Sequence, residues 1–142
     1  INVNLNAAFY LGRAVGRHMV ERGKKGKIIY IVSTGAFRAS KNYGAYSASK
    51  AGVVMLMKTL ALELAPYKIC VNAIAPTATD TRFTADYYSG NPGVRDSVVK
   101  NHPLGRIAVP EDYMGTVIYL SSAASDFVTG EMIVVDGGKT AK

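Results

Sequence analysis

The sequence predicts an α/β protein: a parallel sheet with covering helices. Three observations carry this. Segments with apolar residues at helical spacing alternate with short apolar runs, those runs show little of the in-and-out alternation of half-exposed strands, and glycine or proline stands at most junctions. With 142 residues, 49% of them hydrophobic and 19% charged, the chain is expected to form a single domain over 1–142 that buries roughly two-thirds of its unfolded surface.

Val3, Ala7, Leu11, Ala14 and His18 recur at helical spacing, and Ala8, Gly12 and Gly16 line a second, small-residue face. This predicts a helix over 2–22 that packs on both sides, with His18 on the apolar stripe in a core or interface, and with Gly23 as its stop. KIIYIVS (27–33) is β-branched and apolar, which predicts a strand covered on both faces. A polar connector over 33–42 leads to a long helix over 43–64, with Val53, Leu56, Leu60 and Leu64 in register and Pro66 after it. ICVNAI (69–74) reads as the next buried strand, broken by Pro76.

Residues 77–109 are rich in Thr, Tyr, Gly, Asn and Pro and read as a lid or binding loop with at most a short helix near 94–101. Pro110, Glu111 and Asp112 make a good first helical turn for a helix running to Ser121, since Pro needs no donor there and the acids face the positive helix end. MIVVDGG (132–138) is the last strand. Three such strands leave bare edges, so further strands from another segment or a partner chain are expected, and the opening INVNLNAAFY, already in helical pattern, reads as the later part of a longer protein.

Composition narrows the function classes. No stretch approaches the ~18 uninterrupted apolar residues of a membrane span. The single Cys70 lies in an apolar run as a small buried hydrophobe, which fits a reducing, cytoplasmic setting. The net charge of +7 is concentrated in Arg13, Arg17, Arg22, Lys24, Lys25 and Lys27, a solvated helix face and loop with no interleaved aromatic motif, so neither nucleic acid nor membrane is expected as a partner. His18 and His102 have no ligand-spaced partners, which argues against a metal site. Gly138-Lys139-Thr140 has Ile133 where a phosphate loop needs glycine, and it follows a strand without opening a helix.

The strongest chemical signal is Tyr46-Ser47-Ala48-Ser49-Lys50 near the start of the long helix, with Ser33 thirteen residues earlier at a strand end. A four-residue spacing puts the Tyr46 phenol and the Lys50 ammonium on one helix face, and the carboxyl end of a parallel strand is where open α/β sheets place ligands. A phenol titrates near ~10, and bringing one to ~7 takes about 4 kcal/mol. An ammonium ~5 Å away contributes roughly 3 kcal/mol at an effective dielectric of ~20, so such a pair can serve as a proton donor and acceptor near neutral pH. Taken by themselves, Tyr46 and Lys50 also fit an exposed helix pair, Ser33 fits a strand-end turn beside the hydroxyl of Thr34, and Asn4 fits a helix end flanked by Asn2 and Asn6.

The motifs VNLNAAF (3–9), IIYIVS (28–33), YSASK (46–50), VNAIAP (71–76), GRIAVPED (105–112), Thr129-Gly130-Glu131 and VDGG (135–138) together resemble the classical short-chain dehydrogenases/reductases, in chain order and over the whole length. The resemblance implies a Rossmann-like, doubly wound parallel sheet, of which this chain holds the later strands and helices. It implies NAD or NADP as cofactor and hydride transfer between the nicotinamide and a small carbonyl compound or secondary alcohol. Residue by residue it implies Tyr46 as general acid/base and Lys50 as the group that lowers the Tyr46 pKa and holds the nicotinamide ribose. It also implies Ser33 as the hydrogen-bond donor to the substrate oxygen and Asn4 as the holder of a water that links Lys50 to solvent.

Pro76 to Thr81 matches the family segment beside the nicotinamide carboxamide, with Pro76, Thr77, Thr79 and Thr81 as cofactor contacts. Thr77 stands where that segment usually has glycine, and an ordinary polar loop is the alternative. The family's glycine-rich cofactor turn does not occur in these residues, so the isolated chain is expected to bind dinucleotide poorly, while a full enzyme containing it is expected to be active. Tyr87, Tyr88, Ser89, Asn91, Arg95 and His102 make the loop polar, which suits a polyol, sugar acid or other small hydroxy compound, with gluconate-type sugar-acid dehydrogenases as the most similar members. The helices over 2–22 and 43–64 suit a homotetramer or dimer built through a four-helix bundle, or else simply cover the sheet. A reading of a different class is a non-catalytic half-domain that serves as an assembly or regulatory subunit.

Overall fold

A computed structural model describes residues 1–141. Its sheet has three parallel strands, β1 (Gly26–Ile31), β2 (Ile69–Pro76) and β3 (Met132–Val135), in the order β1-β2-β3. Gly26 pairs with Ile69 and Ile31 with Ile74, while Ala73 pairs with Met132 and Pro76 with Val135. The central β2 is buried along nearly its whole length because both edges are paired and both faces covered.

The helices are α1 (Ala7–Arg22), α2 (Gly44–Leu64), α3 (Arg82–Gly90), α4 (Pro92–Lys100) and α5 (Met114–Ser121). Val53, Met57, Leu60, Ala61 and Leu64 of α2 form the core with Ile69, Val71, Ala73 and Ala75, the alternate residues that β2 turns to one face. On α1, the small face does the packing. Gly12 and Gly16 are buried, and a methyl on Gly12 would overlap the Tyr30 hydroxyl and stand 2.9 Å from Leu60 Cδ1. That close approach is why glycine stands there.

The other face of α1 departs from expectation: Val3 is 87% and Leu11 65% exposed, and His18 is exposed instead of packed. Helical period places residues on a face, but backbone proximity decided which face went inward. The helix also opens with a π-helical turn over Asn2–Asn6.

The expected irregular lid over 77–109 is largely helical. Thr81 is extended and accepts a hydrogen bond from Thr84 N at 3.3 Å, while Thr84 Oγ1 accepts from Thr81 N at 2.9 Å, a reciprocal cap that starts α3. Pro92 opens α4 at a position where a missing donor costs nothing. The helix expected from Pro110 begins as a tighter 3-10 turn, Pro110–Tyr113, before α5. Lys27 leaves the solvated basic face: its partly buried ammonium pairs with Asp126 Oδ1 at 3.0 Å and donates to Ser125 Oγ at 3.1 Å. Cys70 is buried, as its apolar setting predicts. No helix is long and apolar enough to cross a membrane among the described residues.

Candidate active site

The site lies at the carboxyl ends of β1 and β2. After β1 the chain stays extended through Ser33, whose Oγ accepts a hydrogen bond from Gly35 N at 3.0 Å and so caps the short turn Thr34–Ala36. With its acceptor side engaged, the Ser33 hydroxyl keeps its hydrogen to donate elsewhere.

Tyr46 sits in the first turn of α2, 38% exposed, its ring edge-on to Tyr43 with centroids 5.9 Å apart. Among the described residues its hydroxyl has no hydrogen-bond partner. One turn later, Lys50 Nζ lies 5.8 Å from the Tyr46 ring centroid and donates to Ile31 O at 3.2 Å, which ties α2 to the end of β1. Ser49 is fully buried behind Tyr46, donating to Tyr46 O at 2.6 Å and accepting from Asn4 Nδ2 at 3.2 Å. Asn4 therefore reaches the backbone of Tyr46 through Ser49, and no hydrogen bond joins it to Lys50 among the described residues.

Ser33 and Tyr46 line one cleft of about 620 Å³, along with Gly35, Ser40, Tyr43 and Ser47 on one side and Thr77, Thr79, Thr81, Tyr87 and Tyr88 on the other. Gly35 lies between the Tyr46 ring edge and Ser33: a methyl on it would stand 3.3 Å from Tyr46 Cε1 and 3.4 Å from Ser33 Oγ. Asn4, Lys50 and Pro76 are not part of the cleft wall.

The segment after β2 is tied down by its own hydroxyls. Thr77 Oγ1 lies 2.8 Å from His102 Nε2, and His102 Nδ1 lies 2.6 Å from Val98 O. If Nδ1 donates to that carbonyl, Nε2 accepts from Thr77. Thr77, standing where the family segment usually has glycine, thus finds a partner in the buried His102, which links this segment to α4. Thr79 Oγ1 donates to Thr77 O at 2.9 Å and meets Tyr113 Oη at 2.7 Å, while the Thr81 hydroxyl is engaged in the α3 cap. Burial pushes the Tyr88 phenol up, with the Asp80 carboxylate adding to the shift, so Tyr88 faces the cleft as a protonated donor.

Two residues take places here that the sequence did not assign them, His102 reading there only as a polar loop residue and Lys139 only as part of a rejected phosphate-loop pattern. His102 gave no local signal because its partner is twenty-five positions away. Lys139 lines the cleft because Gly137 and Gly138, at φ 61° and 82°, turn the chain back after β3. Asp136 holds that turn, accepting from Gly138 N at 3.0 Å, Thr140 N at 2.8 Å and Thr140 Oγ1 at 2.6 Å. Burial pushes the Asp136 carboxyl up, and these hydrogen bonds outweigh it to leave the group below its ordinary value.

Comparison with known proteins places this geometry in a lineage. A family model described as enoyl-(acyl carrier protein) reductase matches residues 1–140. An uncharacterized oxidoreductase of Mycobacterium tuberculosis strain CDC 1551 is 39% identical over 99% of this chain and 54% of its own length. The 2-dehydro-3-deoxy-D-gluconate 5-dehydrogenase of Escherichia coli K12 is 36% identical over 100% of this chain and 56% of its own. A crystal structure of a gluconate 5-dehydrogenase from Burkholderia cenocepacia, in complex with NADP and tartrate, superposes with a TM-score of 0.92 at 38% identity, covering 99% of this chain and 54% of that one. The chain spans about half the length of the curated relatives it matches. With its parallel sheet, strand-end serine and tyrosine–lysine helix turn, the chain belongs to the short-chain dehydrogenase/reductase family.

Proposed function

We propose that this chain carries the proton-transfer machinery and substrate wall of an NAD(P)-dependent oxidoreductase that interconverts a small carbonyl compound and a secondary alcohol. The observation that carries the reading is the pair of available hydroxyls in one cleft, Ser33 with a free hydrogen and Tyr46 with no partner among the described residues, with Gly35 beside both. The donor set fits a dinucleotide. The Lys50 ammonium has three donors and makes one hydrogen bond here, leaving capacity that would hold the ribose diol, and Pro76, Thr77, Thr79 and Thr81 would face the carboxamide.

The nicotinamide, when bound, supplies or takes up the hydride at the substrate carbon. In reduction, Ser33 donates a hydrogen bond to the carbonyl oxygen, orienting it and stabilising its developing negative charge. Tyr46 then gives its phenolic proton to that oxygen, and in oxidation it takes the proton back. The Lys50 charge on the same helix face favours the negative charge left on the phenol. Asn4 and Ser49 act behind the tyrosine, fixing the first turn of α2, with Asn4 also able to order a water toward Lys50.

The described residues are read as the later part of a single Rossmann-type domain in a cytoplasmic enzyme. A homo-oligomer is proposed through α1 and α2, whose Phe9, Tyr10, Leu11, Met55 and Leu62 are exposed. The test is Tyr46→Phe in the intact protein: turnover is expected to fall by about 10²–10⁴ while dinucleotide binding is retained, and wild-type turnover in that variant refutes the assignment.

A further inference from the structure

Lys139 is the one charged side chain among the described residues that line the cleft. It is partly buried, and no carboxylate lies within salt-bridge distance of its ammonium among the described residues. Asp136, the nearest acid in sequence, is occupied by three hydrogen bonds that shape the turn under Lys139. The surroundings add positive charge: Arg38 Nη1 donates to Lys139 O at 3.4 Å, and among the described residues Arg38 has no acidic partner within salt-bridge distance. Burial, with the nearby Arg38 charge, pulls the Lys139 ammonium below its ordinary value. Asp136 stands close enough to be felt by Lys139 but makes no salt bridge with it, so a cleft-lining cation with a second cation beside it keeps room for a ligand's negative charge.

We propose that Lys139 is a substrate-binding residue that receives a carboxylate, so that the substrate is a small hydroxy acid or keto acid whose reacting carbon lies between Ser33 and Tyr46. This deepens the reading above and rests on it for the identity of the reacting end. Lys139 makes the charge-assisted hydrogen bond, and Arg38 holds the turn and adds to the field. The rest of the wall, Ser40, Tyr43, Ser47, Tyr87 and Tyr88, is neutral and suits the hydroxyls between the two ends.

Two probes separate the charge from everything else: D-gluconate and D-glucitol, which differ in a terminal carboxylate against a CH2OH group. Calorimetric binding to the intact protein with dinucleotide present is expected to favour gluconate by on the order of 10- to 100-fold. Lys139→Gln is expected to remove that preference without changing glucitol affinity, Arg38→Gln to weaken it, and Lys139→Arg to keep most of it. Equal affinities in the wild type, no binding of gluconate, or a preference that survives Lys139→Gln overturns the proposal. Tyr46→Phe is the arm that tests the catalytic reading alone. It is expected to leave gluconate binding intact while turnover falls by about 10²–10⁴, so failure of the proton-transfer assignment shows in rate and failure of the carboxylate site shows in affinity.

Discussion

Gly35→Ala separates the chemistry of the cleft from the stability of the fold. Gly35 lies outside the left-handed region of backbone space, so alanine fits the turn and tends to stabilise by about 0.4–1 kcal/mol through the unfolded chain. The new methyl would stand 3.3 Å from Tyr46 Cε1, 3.4 Å from Ser33 Oγ and 3.6 Å from Ser47 Oγ. Only the first is tighter than an ordinary contact, by a few tenths of an ångström, and Tyr46 is exposed enough to yield. The thermal midpoint of the intact protein, read by circular dichroism, is therefore expected to hold or rise slightly. Activity is expected to behave differently, because the methyl fills cleft space between the Tyr46 ring edge and Ser33 Oγ, beside the place proposed for the substrate oxygen. A displacement near 1 Å costs about 100-fold, so kcat/KM from initial NAD(P)H rates is expected to fall on that order, about 2.7 kcal/mol in the barrier. A variant within about threefold of wild type refutes the argument, since the substrate oxygen then does not lie between the two hydroxyls.

Two further outcomes concern the scaffold. Gly12→Ala gains about 1 kcal/mol of helix propensity but forces the Tyr30 hydroxyl off its 3.2 Å hydrogen bond to Ala8 O, with a net loss of about 1–2 kcal/mol expected in denaturant unfolding. Combined with Tyr30→Phe, which removes the overlapping oxygen, the loss is expected to be smaller than the sum of the two single changes, and strict additivity counts against the close α1–β1 contact. Asp112 accepts from Arg106 at 2.6 and 2.7 Å and from Val109 N at 2.8 Å, and the Arg106 guanidinium foremost holds its carboxyl down at about 2 from an ordinary 3.8. A folded-state value below the unfolded one contributes stability above pH 3.8 that is lost as pH falls toward 2. Melting curves of wild type and Asp112→Asn are thus expected to converge over that interval, and a constant difference would show that the pair does not report on folding.

Much of the fold was legible because it rests on local pattern. The β-branched runs at 27–33 and 69–74 became β1 and β2, and the apolar register from Val53 to Leu64 became the core face of α2, since burial of those residues drives both folding and their periodicity. Within 77–109 the short helix expected near 94–101 matches α4, whereas α3 is unexpected because Thr81 caps it with Thr84 in place of the glutamate or glutamine that usually marks such a start. The outward face of α1 was misread because two faces were plausible and only the Tyr30 and Leu60 contacts choose between them.

At the site, chain spacing alone determined that Tyr46 and Lys50 share a helix face, because a helix repeats every ~3.6 residues whatever surrounds it. Strand-end position added Ser33, and the resemblance then gave Ser33 its role and supplied Asn4. Tertiary structure decided what lies around them: that Gly35 stands beside the Tyr46 ring and Ser33, that Asn4 bonds Ser49, that His102 meets Thr77, and that Lys139 returns to the cleft from the far end of the chain. Each of those pairings spans a loop or a strand crossover, and a contact between distant positions leaves no period in the residues that make it.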